Sequence, residues 1–181
     1  RLSDLEGRDK QDGSVHVVWL PAAGQQVDLV QRIGQERRWA DVRERSGPRR
    51  WHESDHDIAR RHASLGWTRD GSGPWQVSSL LRAYASHVEV INTRTLGVAA
   101  LRPQTLDDQV IEGQVALQPA TGQRWSAGVE SRRERLDNEA LPGGHGAVGH
   151  RAAFAQAELA PVRTMAVTLG VRHDHHERFG D

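Results

Sequence analysis

The chain is expected to fold as an all-β protein, an antiparallel up-and-down meander of about eight strands. Three observations carry that expectation. Apolar and polar residues alternate along eight segments, tryptophans recur on the apolar side beside short turns, and the connections alternate between tight and long. Alternation is diagnostic because successive side chains of a strand point to opposite faces of the sheet. The candidate strands are 14–20, 26–39, 58–69, 75–92, 108–118, 124–135, 150–159 and 165–174.

Each segment is justified by its own pattern. In the first, Val15, Val17 and Trp19 share one face before Pro21-Ala-Ala-Gly24. The second, 26–39, returns from that turn. In the third, Ala63, Leu65 and Trp67 oppose His62, Ser64, Gly66 and Thr68, and the segment ends at Asp70-Gly-Ser-Gly-Pro74. In the fourth, Trp75, Val77, Ser79, Leu81, Ala83 and Ala85 align. In the fifth, Ile111, Gly113, Val115 and Leu117 alternate with Glu112, Gln114, Ala116 and Gln118. After Pro119-Ala-Thr-Gly122, Trp125, Ala127 and Val129 oppose Arg124, Ser126, Gly128, Glu130 and Arg132. The seventh leads into Ala160-Pro-Val-Arg163, and in the eighth Met165, Val167, Leu169 and Val171 alternate with Ala166, Thr168, Gly170, Arg172 and Asp174. The four tight connections hold the Pro and Gly that turns need. The long ones, 40–57, 93–107 and 136–149, are polar and are expected as loops.

Trp19, Trp67, Trp75 and Trp125 lie on apolar faces near short turns, the position of an interfacial aromatic girdle, because indole is part apolar and part hydrogen-bond donor. Short turns at one rim and long loops at the other match an outer-membrane barrel, with the short turns periplasmic. The expectation is therefore a part of a large transmembrane β-barrel wall. Its other face carries Glu112, Arg124, Glu130, Arg132 and Arg172, charges that a small closed soluble barrel would have to desolvate, so a wide, wet or plugged interior is expected.

Composition agrees with that class and narrows the partners. Apolar residues make up 36% and mean hydropathy is −0.67, too polar for a helical membrane protein. No apolar run reaches the ~18 residues of a spanning helix, a test that a barrel escapes because only alternate residues meet lipid. Twenty-four basic and 24 acidic residues leave net charge zero, which removes the field that would attract nucleic acid. The absence of cysteine removes disulfide frameworks and thiolate metal sites. The chain opens at Arg1 without a start methionine or leader pattern and ends at Phe179-Gly180-Asp181, so it is read as a single segment, 1–181, of a longer protein.

The run from Trp125 to Leu136 (WSAGVESRRERL), then Ala153-Phe-Ala-Gln156, then Val167 to Gly180 (VTLGVRHDHHERFG) resembles the barrel of TonB-dependent outer-membrane receptors, nearest those for ferric siderophores and colicins. The resemblance covers the last third closely and the remainder through strand and loop rhythm. This chain has His173 where the family usually has Tyr, and Ala157-Glu158-Leu159 where it has an Asp-Glu-Trp-like segment. The family's plug domain and TonB box have no counterpart here. Such transporters have about 22 strands around a plugged lumen, so eight strands form roughly a third of a wall. The resemblance implies uptake of a nutrient such as a ferric siderophore at the bacterial outer membrane. Its partners would be the TonB protein, through the plug, and membrane lipid, and it implies no cofactor and no catalysis.

Arg43, Arg45, Arg49 and Arg50, in the first long connection, are placed to attract an anionic ferric chelate, although Asp41, Glu44, Glu53, Asp55 and Asp57 nearly cancel their field. Two alternatives remain. One is a self-contained soluble β-domain or small barrel that binds a small ligand. The other is a zinc hydrolase, since His52-Glu-Ser-Asp-His56 matches H-E-x-x-H. That motif needs an amphipathic helix, and the polar residues around it leave no apolar face to bury. His173 and His175 share a strand face and offer two further metal ligands, short of the three a useful site needs.

Overall fold

A computed structural model of the protein describes residues 6–43, 51–94, 100–162 and 164–177. Eight strands form one antiparallel sheet in sequence order: β1 (Glu6–Trp19), β2 (Gln25–Arg43), β3 (Trp51–Ser72), β4 (Val77–Arg94), β5 (Ala100–Ala120), β6 (Gln123–Asn138), β7 (His145–Val162) and β8 (Met165–His176). A 3-10 turn, Pro142–Gly144, precedes β7. Every strand pairs with its neighbours in the chain, the up-and-down meander expected from the alternation. Among the described residues β1 and β8 pair on one side only.

The strands are longer than the apolar alternation suggests, most of all at the end away from the short turns. β1 begins at Glu6 rather than 14, β3 at Trp51 rather than 58, β5 at Ala100 rather than 108 and β7 at His145 rather than 150. Much of what was expected as long loop is therefore ladder. The reason is visible in the registers: pairs such as Arg37↔Asp55, His87↔Asp107 and Arg135↔Ala147 continue the hydrogen bonding where the side chains have become polar. Trp75 differs from expectation in the other direction. It lies in the turn 73–76, beside Gln76 with φ +45°, and not in β4.

The short connections use glycine where the backbone demands it. Gly24 (φ +69°) and Gly122 (φ +76°) adopt the left-handed conformation that costs a side chain about 1 kcal/mol or more. Register shifts at Arg69/Ser72, Leu117/Ala120 and Leu159/Val162 place a β-bulge at three of the four hairpin ends.

The last regular pairs before the four short turns are Trp19↔Val27, Arg69↔Ser79, Leu117↔Trp125 and Leu159↔Val167. They can be compared along the ladder row Trp19–Val27–Trp67–Leu81–Gly113–Val129–Ala153–His173. The first pair lies in that row and the others stand two, four and six residues beyond it (69 − 67, 117 − 113, 159 − 153). Each hairpin is thus displaced by two residues from the one before, one per strand. A shift of ~3.3 Å across a strand spacing of ~4.8 Å tilts the strands by about 35°, the lower end of the range for barrel walls.

Candidate membrane-facing surface and the charged face behind it

The sheet is a single layer with two unlike faces. One carries Val17, Leu29, Leu65, Leu81, Ile111, Val115, Trp125, Val129, Leu169 and Val171, all exposed, with Val129 61% and Ile111 59% accessible. The opposite face carries most of the charged groups, and its side chains are the more enclosed ones. From Trp125 to Leu136 on β6 the apolar face is exposed and the polar face half-buried in alternation, and Glu36 on the polar face of β2 is 3% accessible. A soluble β-domain arranges these the other way, since apolar burial is its main driving force.

The exposed apolar face ends along a line. Counting away from the short turns, polar side chains take over at Gln11, Gln35, Arg61, His87, Gln109, Arg133, Arg151 and His173 on β1 to β8. The distance from the last regular turn pair is eight residues on seven strands: Trp19 to Gln11, Val27 to Gln35, Arg69 to Arg61, Ser79 to His87, Leu117 to Gln109, Trp125 to Arg133 and Leu159 to Arg151. On β8 it is six, Val167 to His173. Gln31 is the one amide inside the band, Ser79 and Ser131 are small, and the turn-side end on β3 is itself charged, Arg69. Eight residues at ~3.3 Å each, inclined by about 35°, make a band some 22 Å high, near the ~25 Å apolar band of membrane barrels.

Trp19 and Trp125 lie at the turn-side edge of this band and Trp67 just inside it, whereas Trp75 is held in its turn. Trp67 donates its indole N–H to Gln25 Oε1 at 3.3 Å, the polar handle that suits an interfacial ring. Trp39, on the same face beyond the opposite border, lies over Gly7, where a Cβ would collide with its indole, and under the Arg37 guanidinium at 5.8 Å. Alternation alone did not mark Trp39, because the neighbours on its face are Gln35 and Arg37.

Beyond the border the apolar-side face is stitched by ion pairs. Arg37 donates to both carboxylate oxygens of Asp55, His87 Nδ1 contacts Asp107 Oδ1 at 2.7 Å, and Arg135 Nε donates to Asp137 at 3.1 Å. Arg37 and Arg135 hold Asp55 and Asp137, respectively, below the usual carboxylate range.

The polar face carries denser networks. Arg82 pairs with Glu112, and Arg132 reaches Asp108 (3.0 Å) and Glu134 (2.6 Å). Arg172 and His150 both reach Asp174, at 2.8 and 3.1 Å. Four of the five charges expected on this face, Glu112, Glu130, Arg132 and Arg172, are engaged in such pairs. On β1 to β3, just past the border, Glu36 accepts from Arg38, from Arg8 Nε at 2.8 Å and from Arg60 Nη1 at 3.0 Å. These three guanidiniums, Arg38 foremost, outweigh the opposing effect of burial and lower the Glu36 pKa to about 2.

Arg43 closes β2, but its side chain and all of Arg45, Arg49 and Arg50 lie outside the described residues. The H-E-x-x-H stretch is in strand β3, not in a helix. Four residues of extended chain separate His52 from His56 by ~13 Å, too far for one zinc ion. His56 instead bonds Asn92 and, at 3.0 Å, Ser54. His173 and His175 do share a face, opposite Ala153 and Arg151, while His176 faces the other way beside His150, ring centroids 6.4 Å apart. Among the described residues no three metal-ligating side chains converge, and no helix is long and apolar enough to cross a membrane. No protein-family model and no curated protein matches the chain.

Proposed function

We propose that this chain is part of the wall of a TonB-dependent receptor in a bacterial outer membrane, a transporter that takes up a nutrient such as a ferric siderophore. The observation that carries the membrane placement is the straight border of the exposed apolar face. In a sheet tilted by about 35°, only a flat slab of hydrocarbon asks the apolar-to-polar change to slide along the ladder in step with the turns. The backbone supports the same reading, since each interior strand satisfies its amides within the sheet, as hydrocarbon requires. The uptake role rests on the residues shared with the family between Trp125 and Gly180, namely the AGVESR strand and the TLGVRHD strand.

In this reading the segment performs no chemistry. Its apolar face meets lipid, its charged face lines the lumen, and the polar ends of its strands form part of the outer mouth. TonB acts through the plug domain. The test is expression of the complete protein in a bacterium limited for iron. The protein should fractionate with outer membranes, migrate faster on gels before boiling than after, and support entry of labelled ferric siderophore that stops when TonB is deleted. A protein that stays in the aqueous fraction as a monodisperse monomer would replace this reading with a soluble ligand-binding β-domain. Membrane insertion without TonB-dependent uptake would keep the wall and remove the transport role.

A further inference from the structure

The polar face divides by charge. On β1 to β4 it carries Arg8, Lys10, Arg32, Arg38, Arg60 and Arg82 against Asp12, Asp28 and Glu36, whereas on β5 to β8 acids outnumber bases. Most of these groups are used up locally: Lys10 pairs with Asp12, and Arg82 with Glu112. The cluster around Glu36 is different, because three cations share one carboxylate. Arg8 and Arg38 both bond Glu36 Oε1 through Nε, and Arg60 bonds Oε2 through Nη1. One negative charge against three positive ones leaves a local excess of two.

The three guanidiniums are also held in place. The Glu36 side chain is 1% accessible, while those of Arg8, Arg38 and Arg60 remain 55%, 52% and 41% accessible. The carboxylate acts as an anchor beneath them, and their outer N–H groups face the space in front of the sheet. A guanidinium has five donors in a fixed plane. With Nε engaged, Arg8 and Arg38 still carry their terminal amino groups as further donors. Next to the cluster, the Asp12 carboxylate, itself paired with Lys10, occupies the place of a side chain on Gly34, and Arg32 makes no ion pair among the described residues. A set of cations preorganised by a buried anion, with donors pointing outward, has the chemistry of a receptor for a planar or tetrahedral oxyanion.

We propose that Arg8, Arg38 and Arg60, anchored by Glu36, form a binding site for the carboxylate or phosphate group of a small anionic solute on the charged face of the sheet. Taking this solute as the transported nutrient rests on the uptake function above; the site itself does not. Arg8, Arg38 and Arg60 supply the bonds, Arg32 adds long-range attraction, and Glu36 is a positioning residue.

The experiment is titration of the complete protein in detergent micelles with inorganic pyrophosphate, followed by calorimetry at low ionic strength. Arg60→Gln and Arg38→Gln are compared with Arg61→Gln, the next residue along β3, which removes the same charge from the opposite face. Loss of a charge-assisted bond predicts at least about tenfold weaker binding in the first two variants, and a change within about twofold in the third. Arg60→Lys keeps the charge without the planar fork and should fall between wild type and Arg60→Gln, giving a reading even if a neutral substitution impairs folding. No saturable binding to the wild type, or equal weakening by Arg61→Gln, overturns the site. Because binding is read in micelles without transport, a negative uptake assay with intact arginine-dependent binding would overturn only the transport role.

Discussion

The ring of Phe154 on β7 lies across the backbone of Gly128, its directly opposed partner on β6. A Cβ on Gly128 would stand 2.6 Å from Phe154 Cε1 and 2.8 Å from the Gly113 carbonyl oxygen. The aromatic ring occupies the place of the missing side chain, the cross-strand arrangement that compensates a strand for glycine's lost packing. Gly128→Ala is therefore expected to destabilise by about 1–3 kcal/mol, since the ring and the carbonyl must both move. The check is the midpoint of urea unfolding in micelles. Gly66→Ala, whose Cβ would meet nothing closer than Asp28 Cβ at 3.9 Å, is the contrasting variant and should be near neutral.

The border line gives a position-dependent prediction. Leu65→Arg and Val129→Arg lie midway across the apolar band, and each is expected to cost about 2–4 kcal/mol of folding free energy in lipid vesicles. Arg133→Ala and Arg151→Ala lie at its edge and should change stability by less than about 0.5 kcal/mol. Equal effects at all four positions would show that the exposed face does not meet hydrocarbon.

The tryptophans provide an independent ruler. Quenching by lipids brominated at set depths should place Trp19 and Trp125 at one interface of the bilayer, with Trp67 slightly deeper. Trp39 should be quenched near the other interface, because it stands twelve residues along β2 from Val27 (39 − 27). The two interfaces lie equally far from the bilayer centre, so the brominated lipid is confined to one leaflet, and quenching of Trp39 and Trp125 from the same leaflet would refute the band.

Glu36 sets a pH dependence. Its carboxyl is lowered from an ordinary value of 4.5 to about 2 in the folded state. A depressed folded pKa contributes stability that is complete above the unfolded value and disappears as the pH falls from about 4.5 to about 2. Stability of the wild type should decline through that window. Glu36→Gln should be the less stable protein at pH 7 and converge on the wild type near pH 2. Parallel curves for the two proteins would mean that the arginine cluster does not hold Glu36.

The number of strands, their order and the faces of their side chains were legible because the apolar alternation inside the band is regular, as in Ile111 to Leu117 and Trp125 to Val129. The strand ends were not, for a physical reason. Beyond Gln35, Arg61 or Arg133 polar residues appear on both faces with only scattered apolar ones such as Ile58 and Leu136, so hydropathy loses its period while backbone pairing continues. Stretches such as 100–107 then look like loop and are ladder. The Glu36 cluster was hidden for a related reason: Arg8, Glu36, Arg38 and Arg60 come from three strands, and only the register brings them together. Charge pairs within one strand, such as Arg135 and Asp137 or Glu36 and Arg38, leave a local trace in the sequence; the contacts of Arg8 and Arg60 across strands leave none.

The constant two-residue offset between successive hairpins makes each hairpin an interchangeable brick. Any hairpin set against its predecessor with that same offset arrives with its apolar stretch already level with its neighbours'. A sheet of this kind can be widened or narrowed by duplicating or deleting whole hairpins, without retuning a single residue of the apolar face, so its width becomes a matter of copy number.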